Sequence, residues 1–156
     1  MSSFRITGLA PERFNHLFAL SDDELAARGA RRYVVDATPG YPDRIEMRDL
    51  EVGEKAILVN FTHLDADSPF RSSHAVYVRE GARAAYDAVN EVPAVLARRQ
   101  LSVRAFDADA MLSTADVIEG DRLFDWLTST FENPHVAFID VHYAKPGCFA
   151  ARARRA

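Results

Sequence analysis

Apolar residues recur along this chain at two spacings, and the change from one to the other marks out the elements. Runs rich in β-branched and aromatic residues predict seven strands, at 32–36, 56–63, 75–79, 101–107, 111–118, 136–143 and 149–154. Helical spacing places Leu123, Phe124, Leu127 and Phe131 on one stripe, which predicts a helix over about 121–131, flanked by Trp126 and ended by Asn133-Pro134. A helix over 22–28 has a legible start, because Ser21 with Glu24 matches a capping box and Leu20 with Leu25 a hydrophobic staple. Its stop is equally clear: Gly29 supplies the left-handed closing residue, and Arg28 suits the negative end of the helix dipole. A weaker helix begins at Pro93 and carries Val95 and Leu96, and residues 82–88 read as a helical turn.

Two pairs of adjacent strands read as hairpins. One spans 101–118 and turns at Asp107-Ala108-Asp109-Ala110; the other spans 136–154 and turns at Lys145-Pro146-Gly147. Helices interrupt the strands without the strict alternation of a parallel sheet. The expected class is therefore α+β, a mainly antiparallel sheet of about six or seven strands with two or three helices packed on it.

Composition narrows the functional classes more than it nominates one. At 156 residues, 48 % of them apolar, the chain is expected to form a single domain, 1–156. A formal charge of −4 provides no basic stripe, so no nucleic-acid partner is expected. No apolar run approaches the ~18 residues of a membrane span, and Met1-Ser2-Ser3-Phe4-Arg5 lacks the apolar stretch of a secretory signal. No membrane partner and a cytoplasmic location are expected. The lone cysteine, Cys148, agrees with a reducing compartment. There is no Walker loop, G-x-G-x-x-G, G-x-S-x-G, H-E-x-x-H or RNA-binding strand signature.

The C-terminal hairpin carries the most chemistry. Alternation puts Val136, Phe138, Asp140 and His142 on one face and Ala137, Ile139, Val141 and Tyr143 on the other, which is the core face. With a three-residue loop at Lys145-Pro146-Gly147, Asp140 lies opposite Arg152 and His142 opposite Ala150, with Cys148 on the same face. A two-residue Pro146-Gly147 loop would instead send Arg152 and Cys148 toward the core, where an arginine is poorly accommodated. Proline at the second central position of a type I turn argues against the three-residue loop, so both registers stay open. A Cys-His pair with an acidic neighbour generates a thiolate nucleophile if the groups touch. A free cysteine otherwise behaves as a small buried hydrophobe.

Two segments without regular patterning, 37–44 and 64–74, carry further candidates. His63, Asp65 and Asp67, with His74 close by and His142 able to approach in space, hold oxygen and nitrogen ligand atoms, but in no recognised metal spacing. No metal and no cofactor are assigned. Arginine forks suit carboxylate and phosphate groups, and Arg44 and Arg71 follow restricted loops while Arg79 and Arg104 end or occupy strands. Each could equally pair with one of the 23 acidic side chains.

Several short stretches together resemble a bacterial family catalogued only as domain of unknown function 1203. They are Phe4-Arg5-Ile6-Thr7-Gly8-Leu9, Pro39-Gly40-Tyr41-Pro42 with Arg44, Asn60-Phe61-Thr62-His63 with Ser68-Pro69-Phe70-Arg71, Val78-Arg79-Glu80, Arg104-Ala105-Phe106-Asp107 and Gly147-Cys148-Phe149-Ala150-Ala151-Arg152. The resemblance implies no activity. Members of that family often carry cysteine where this chain has Asp43, so a two-thiol chemistry is not expected here.

The leading expectation is a domain that binds a small anionic metabolite in a cleft between the two loops and the final hairpin. Its ligand-binding candidates are Tyr41, Arg44, Asn60, Ser68, Phe70, Arg71, Arg79, Arg104 and Arg152, with Arg44 and Arg71 holding the anion. His142 or His63 would serve as the acid–base group if chemistry follows, and Cys148 is the candidate nucleophile. A protein-interaction or regulatory module without catalysis is the alternative, and a thiol-dependent enzyme using Cys148 the second. Whether the protein is an enzyme, and whether it forms a homodimer, the sequence leaves open.

Overall fold

A computed structural model describes all 156 residues, Met1–Ala156. The seven expected strands are all present, joined by two short ones, and they divide between two antiparallel sheets. In chain order they are β1 (Phe4–Thr7), β2 (Arg31–Val34), β3 (Lys55–Leu64), β4 (Ser72–Arg79), β5 (Asp87–Val89), β6 (Gln100–Phe106), β7 (Leu112–Glu119), β8 (Phe138–Tyr143) and β9 (Phe149–Arg155). The larger sheet has the order β5-β1-β9-β8-β6-β7 and the smaller β2-β3-β4. Four helices accompany them: α1 (Asn15–Phe18), α2 (Asp22–Ala27), α3 (Ala94–Ala97) and α4 (Leu123–Thr130). The class is α+β, mostly sheet, and no helix is long and apolar enough to cross a membrane.

The helix signals hold in detail. Ser21 Oγ accepts the Glu24 N–H and the Glu24 carboxylate accepts the Ser21 N–H, so both arms of the capping box form. Gly29 takes φ +72° after α2. Residues 82–88 are not a helical turn: they run irregularly into β5, which pairs with β1 through Arg5↔Val89 and Thr7↔Asp87. Four residues of β1 and three of β5 are too short to show a period, and each is held as a strand by its neighbours.

Each sheet buries one face under helices. Phe4, Ile6, Leu101, Val103, Ile139 and Val141 of the larger sheet pack with Leu123, Leu127 and Phe131 from α4 and its end. Ile57, Val76 and Val78 of the smaller sheet pack with Leu17 of α1 and Leu25 of α2. The opposite face of β8, polar at Asp140 and His142, is enclosed as well: Asp140 is 0 % and His142 1 % exposed. The smaller sheet lies over them, with β4 against β9. A polar layer is thereby enclosed between the sheets.

The irregular 37–44 segment is docked rather than loose. Pro42 bridges to Asp49 and Asp43 to Tyr77. The fully buried Asp43 carboxylate accepts the backbone N–H of Arg79 at 2.7 Å and that of Glu46. Burial raises the Asp43 pKa, opposed by these backbone N–H groups.

Candidate functional site

The buried polar layer brings three imidazoles together from both sheets. His63 sits on β3 where its pairing with β4 slips between Thr62 and Leu64, so the histidine is the extra residue of a β-bulge. Bulges re-aim side chains. This one places His63 Nε2 2.9 Å from His74 Nδ1 and 3.1 Å from Ser72 Oγ, both on β4. His142 of β8 completes the group, its ring centroid 5.0 Å from that of His63 and 5.3 Å from that of His74. Phe149 lies parallel to the His63 ring at 4.7 Å and closes one side.

Charged groups surround the rings in a definite order. Arg152 Nε and an Nη donate to the two oxygens of Asp140 at 2.6 and 2.9 Å, and the same Nη reaches the His63 carbonyl at 2.9 Å. Asp140 Oδ2 stands 3.6 Å from His63 Nδ1, a buried nitrogen with no hydrogen-bond partner. Burial pushes the Asp140 carboxyl up, but hydrogen bonds and charge from Arg152 outweigh it, and the net direction is down. Burial, then the Arg104 charge, takes His142 down to about 3; burial and the neighbouring His63 also lower His74. Both rings are neutral near pH 7, so each keeps one N–H donor and one lone pair.

Two concavities meet at this group. The larger, about 840 Å³, runs between Gly40–Arg44, the β4 residues His74 to Tyr77, Arg98–Gln100 and the turn from Tyr143 to Cys148. The smaller, about 210 Å³, is lined by His63, His142, Ser72, Arg104, Phe70, Phe106, Leu112 and Ala115. His74 belongs to the first and its two partners to the second.

The expected site residues divide accordingly. His63, His142, Arg152 and Arg104 converge. Arg44 is 1 % exposed and committed inward, donating to the carbonyls of Phe149 (2.9 Å) and Pro42 (2.6 Å) and to Cys148 Sγ (3.0 Å), while still forming part of the larger cleft wall. Arg71 does not join it: the side chain is 63 % exposed and pairs with Asp65 at the surface. Arg79 is tied to Glu54 and Glu46. Tyr41 donates to Asp36 and packs beside Tyr77. Ser68 braces its own loop by donating to the Ala110 carbonyl, Phe70 lines the smaller pocket, and Asn60 is exposed on β3.

The hairpin register follows neither loop length considered from the sequence. Asp140 is opposite Arg152, as the three-residue loop requires, but His142 pairs with Phe149 because Ala150 is the extra residue of a second bulge. The loop is Ala144 to Gly147, with Gly147 at φ +78° and its N–H donating to the Tyr143 carbonyl. That extra residue reverses the alternation, so Cys148 falls opposite Tyr143, and its thiol meets the Arg44 guanidinium instead of an imidazole. Sequence reasoning passed over Arg98, Arg99, Lys145, Tyr77 and Tyr143 as cleft residues. The adjacent pair Arg98-Arg99 just before a strand was the available signal. Asp65 and Asp67, weighed with the histidines as ligand candidates, stay on the exposed loop.

The model of the family described as "Protein of unknown function (DUF1203)" matches residues 40–155. No curated protein and no solved structure matches the chain.

Proposed function

The chain belongs to the DUF1203 family, whose description carries no activity, and from the site alone we propose that it binds a small organic anion in the larger cleft. The observation that carries this is the lining: Arg44, Arg98, Arg99 and Lys145 face a concavity of about 840 Å³ in which Glu119 is the one acidic residue. That volume lies within the range of small-molecule sites. Tyr77 and Tyr143 supply flat apolar wall, and the Tyr143 ring is itself flanked by Arg44 and Arg99 at 5.0 and 5.3 Å.

The four cations have different duties. Arg99 is occupied by Asp49 (2.5 and 3.0 Å) and the Val95 carbonyl, and Arg44 by its two carbonyls and the thiol. These two set the field of the cleft. Arg98 holds Asp49 by one 3.1 Å bond with its side chain 49 % exposed, and Lys145 at the hairpin turn has no salt-bridge partner. Free donors therefore remain on Arg98 and Lys145, and these are the anion's direct ligands. Concavity favours this reading over a flat interaction surface. Cys148, whose Sγ accepts a hydrogen bond from Arg44 at 3.0 Å, forms part of the same cleft wall.

A thermal-shift and calorimetric series with dicarboxylates, phosphosugars and inorganic phosphate tests the assignment. At least one organic anion is expected to raise the melting temperature at millimolar concentration, and Arg98→Gln with Lys145→Gln is expected to weaken its binding by roughly 100-fold or more, as two lost charge-assisted bonds of about 1.5–3 kcal/mol each imply. Silence across all three ligand classes, or unaltered affinity in the double variant, refutes it.

A further inference from the structure

The histidine group is left unexplained by anion binding in the larger cleft. The ligand nitrogens of His63, His74 and His142 all lie within 4.8 Å of one another, and His63 Nε2 faces His74 Nδ1 at 2.9 Å. Two imidazole lone pairs aimed together at that distance repel unless a proton or a cation lies between them. Nitrogens bound at about 2.0–2.1 Å to one tetrahedral ion stand roughly 3–3.5 Å apart, so the trio closes with side-chain movements of about an ångström or less.

The groups behind the rings are of the kind that orient metal-bound histidines. His142 Nδ1 is engaged by the Gly147 carbonyl at 3.0 Å, which leaves Nε2 as its ligand atom. His63 Nδ1, orphaned in the interior, points to Asp140 at 3.6 Å, and Asp140 is clamped by Arg152. A cation drawing electron density from His63 Nε2 makes the opposite N–H a stronger donor to that carboxylate. The unpartnered nitrogen is then accounted for.

We propose that His63, His74 and His142 bind a first-row divalent transition metal ion, zinc in type, with a coordination position open to the 210 Å³ pocket beside Arg104. The donor set is all imidazole, which suits zinc, cobalt, nickel, copper or iron and not magnesium or calcium. Neutral rings at His74 and His142 agree with it. Three protein ligands leave room for an exogenous one. Arg104 selects its class: the guanidinium donates to Ser102 Oγ at 3.1 Å, has no carboxylate partner and lines the pocket, so it and the metal ion repel unless an anion lies between them. Hydroxide or a small carboxylate meets that need.

The test uses the full chain stripped with EDTA and dialysed, titrated with Zn²⁺ by calorimetry and with Co²⁺ by visible absorption. One equivalent should bind, with cobalt d–d bands of four- or five-coordinate intensity. His74→Ala, at a half-buried position that the fold tolerates more readily than the two buried histidines, should weaken zinc binding by more than about 100-fold, beyond the 10–100-fold typical of losing an outer-shell partner. Circular dichroism verifies that this variant is folded, and His135→Ala, exposed between α4 and β8, should bind as wild type does. Absence of saturable one-equivalent binding by the folded wild type, or wild-type affinity in His74→Ala, overturns the proposal. The metal site does not depend on the anion cleft: an organic anion that stabilises metal-free protein while zinc fails to bind refutes the first and leaves the second standing.

Discussion

Glu54 shows how strongly one side chain can be held by its surroundings. It accepts two bonds from Arg48 (2.8 and 2.7 Å), one from Arg79 Nε (2.8 Å) and one from the Glu51 backbone N–H (2.7 Å). The Arg48 hydrogen bonds are the largest cause, and the carboxyl falls to about 2. A folded pKa below the unfolded value of about 4.3 means stability that is present above that value and lost as pH falls through the folded pKa. Urea unfolding should find Glu54→Gln less stable than wild type at neutral pH, with the two converging as pH drops from about 5 toward about 2. A constant gap across that window would show that Glu54 does not titrate as described. The same crowding explains which single residues were legible. Asp140 opposite Arg152 follows from strand alternation, and His63 and His142 were named as chemistry-bearing, but the spare arginines were not evident. With 23 acidic partners available, local sequence does not say that Arg71 is paired at the surface while Arg104 lacks a carboxylate.

Elements introduce a second kind of information, carried by irregularities that no period reports. The bulges at His63 and Ala150 each insert one residue, and each re-phases a strand beside the histidine group. Alternation identified both strands and placed Ile139, Val141 and Tyr143 correctly toward the core, yet it put Cys148 on the wrong side because one extra residue reverses every position beyond it. Close approach between elements is another such constraint. Gly8, just after β1, accepts no Cβ without meeting the Ile45 carbonyl oxygen at 2.0 Å, and Leu9 N–H donates to the Arg44 carbonyl at 2.7 Å beside it. Gly8→Ala is expected to cost about 3 kcal/mol in chemical unfolding, the upper part of the range for overpacking. A loss under about 0.5 kcal/mol would mean that the 44–45 backbone yields freely.

At the scale of the whole molecule, the two sheets press a polar and aromatic layer between them, and a metal ion there would draw ligands from both: β3 and β4 on one side, β8 on the other. Binding confined to the folded state then stabilises that assembly. Zinc at 100 times its dissociation constant adds about 2.7 kcal/mol, which for a chain of this size corresponds to a rise in melting temperature of roughly 5–10 °C. EDTA should reverse the shift, and His74→Ala should show none. An equal shift in that variant would place the zinc elsewhere.

What the sequence determined by itself was local in physical origin: the capping box at Ser21, the left-handed Gly29, seven of the nine strands, both hairpins and the α+β class. Each depends on residues within a few positions of one another, where backbone sterics, side-chain period and capping hydrogen bonds act. Only the tertiary structure decided that there are two sheets, that Asp140 and His142 are enclosed, and that His63, His74 and His142 share one place. The reason is that strands far apart in the chain meet through burial of their opposite faces, a force that is not directional. Which polar side chains come to face one another is then set by the packing of the layers and by two inserted residues.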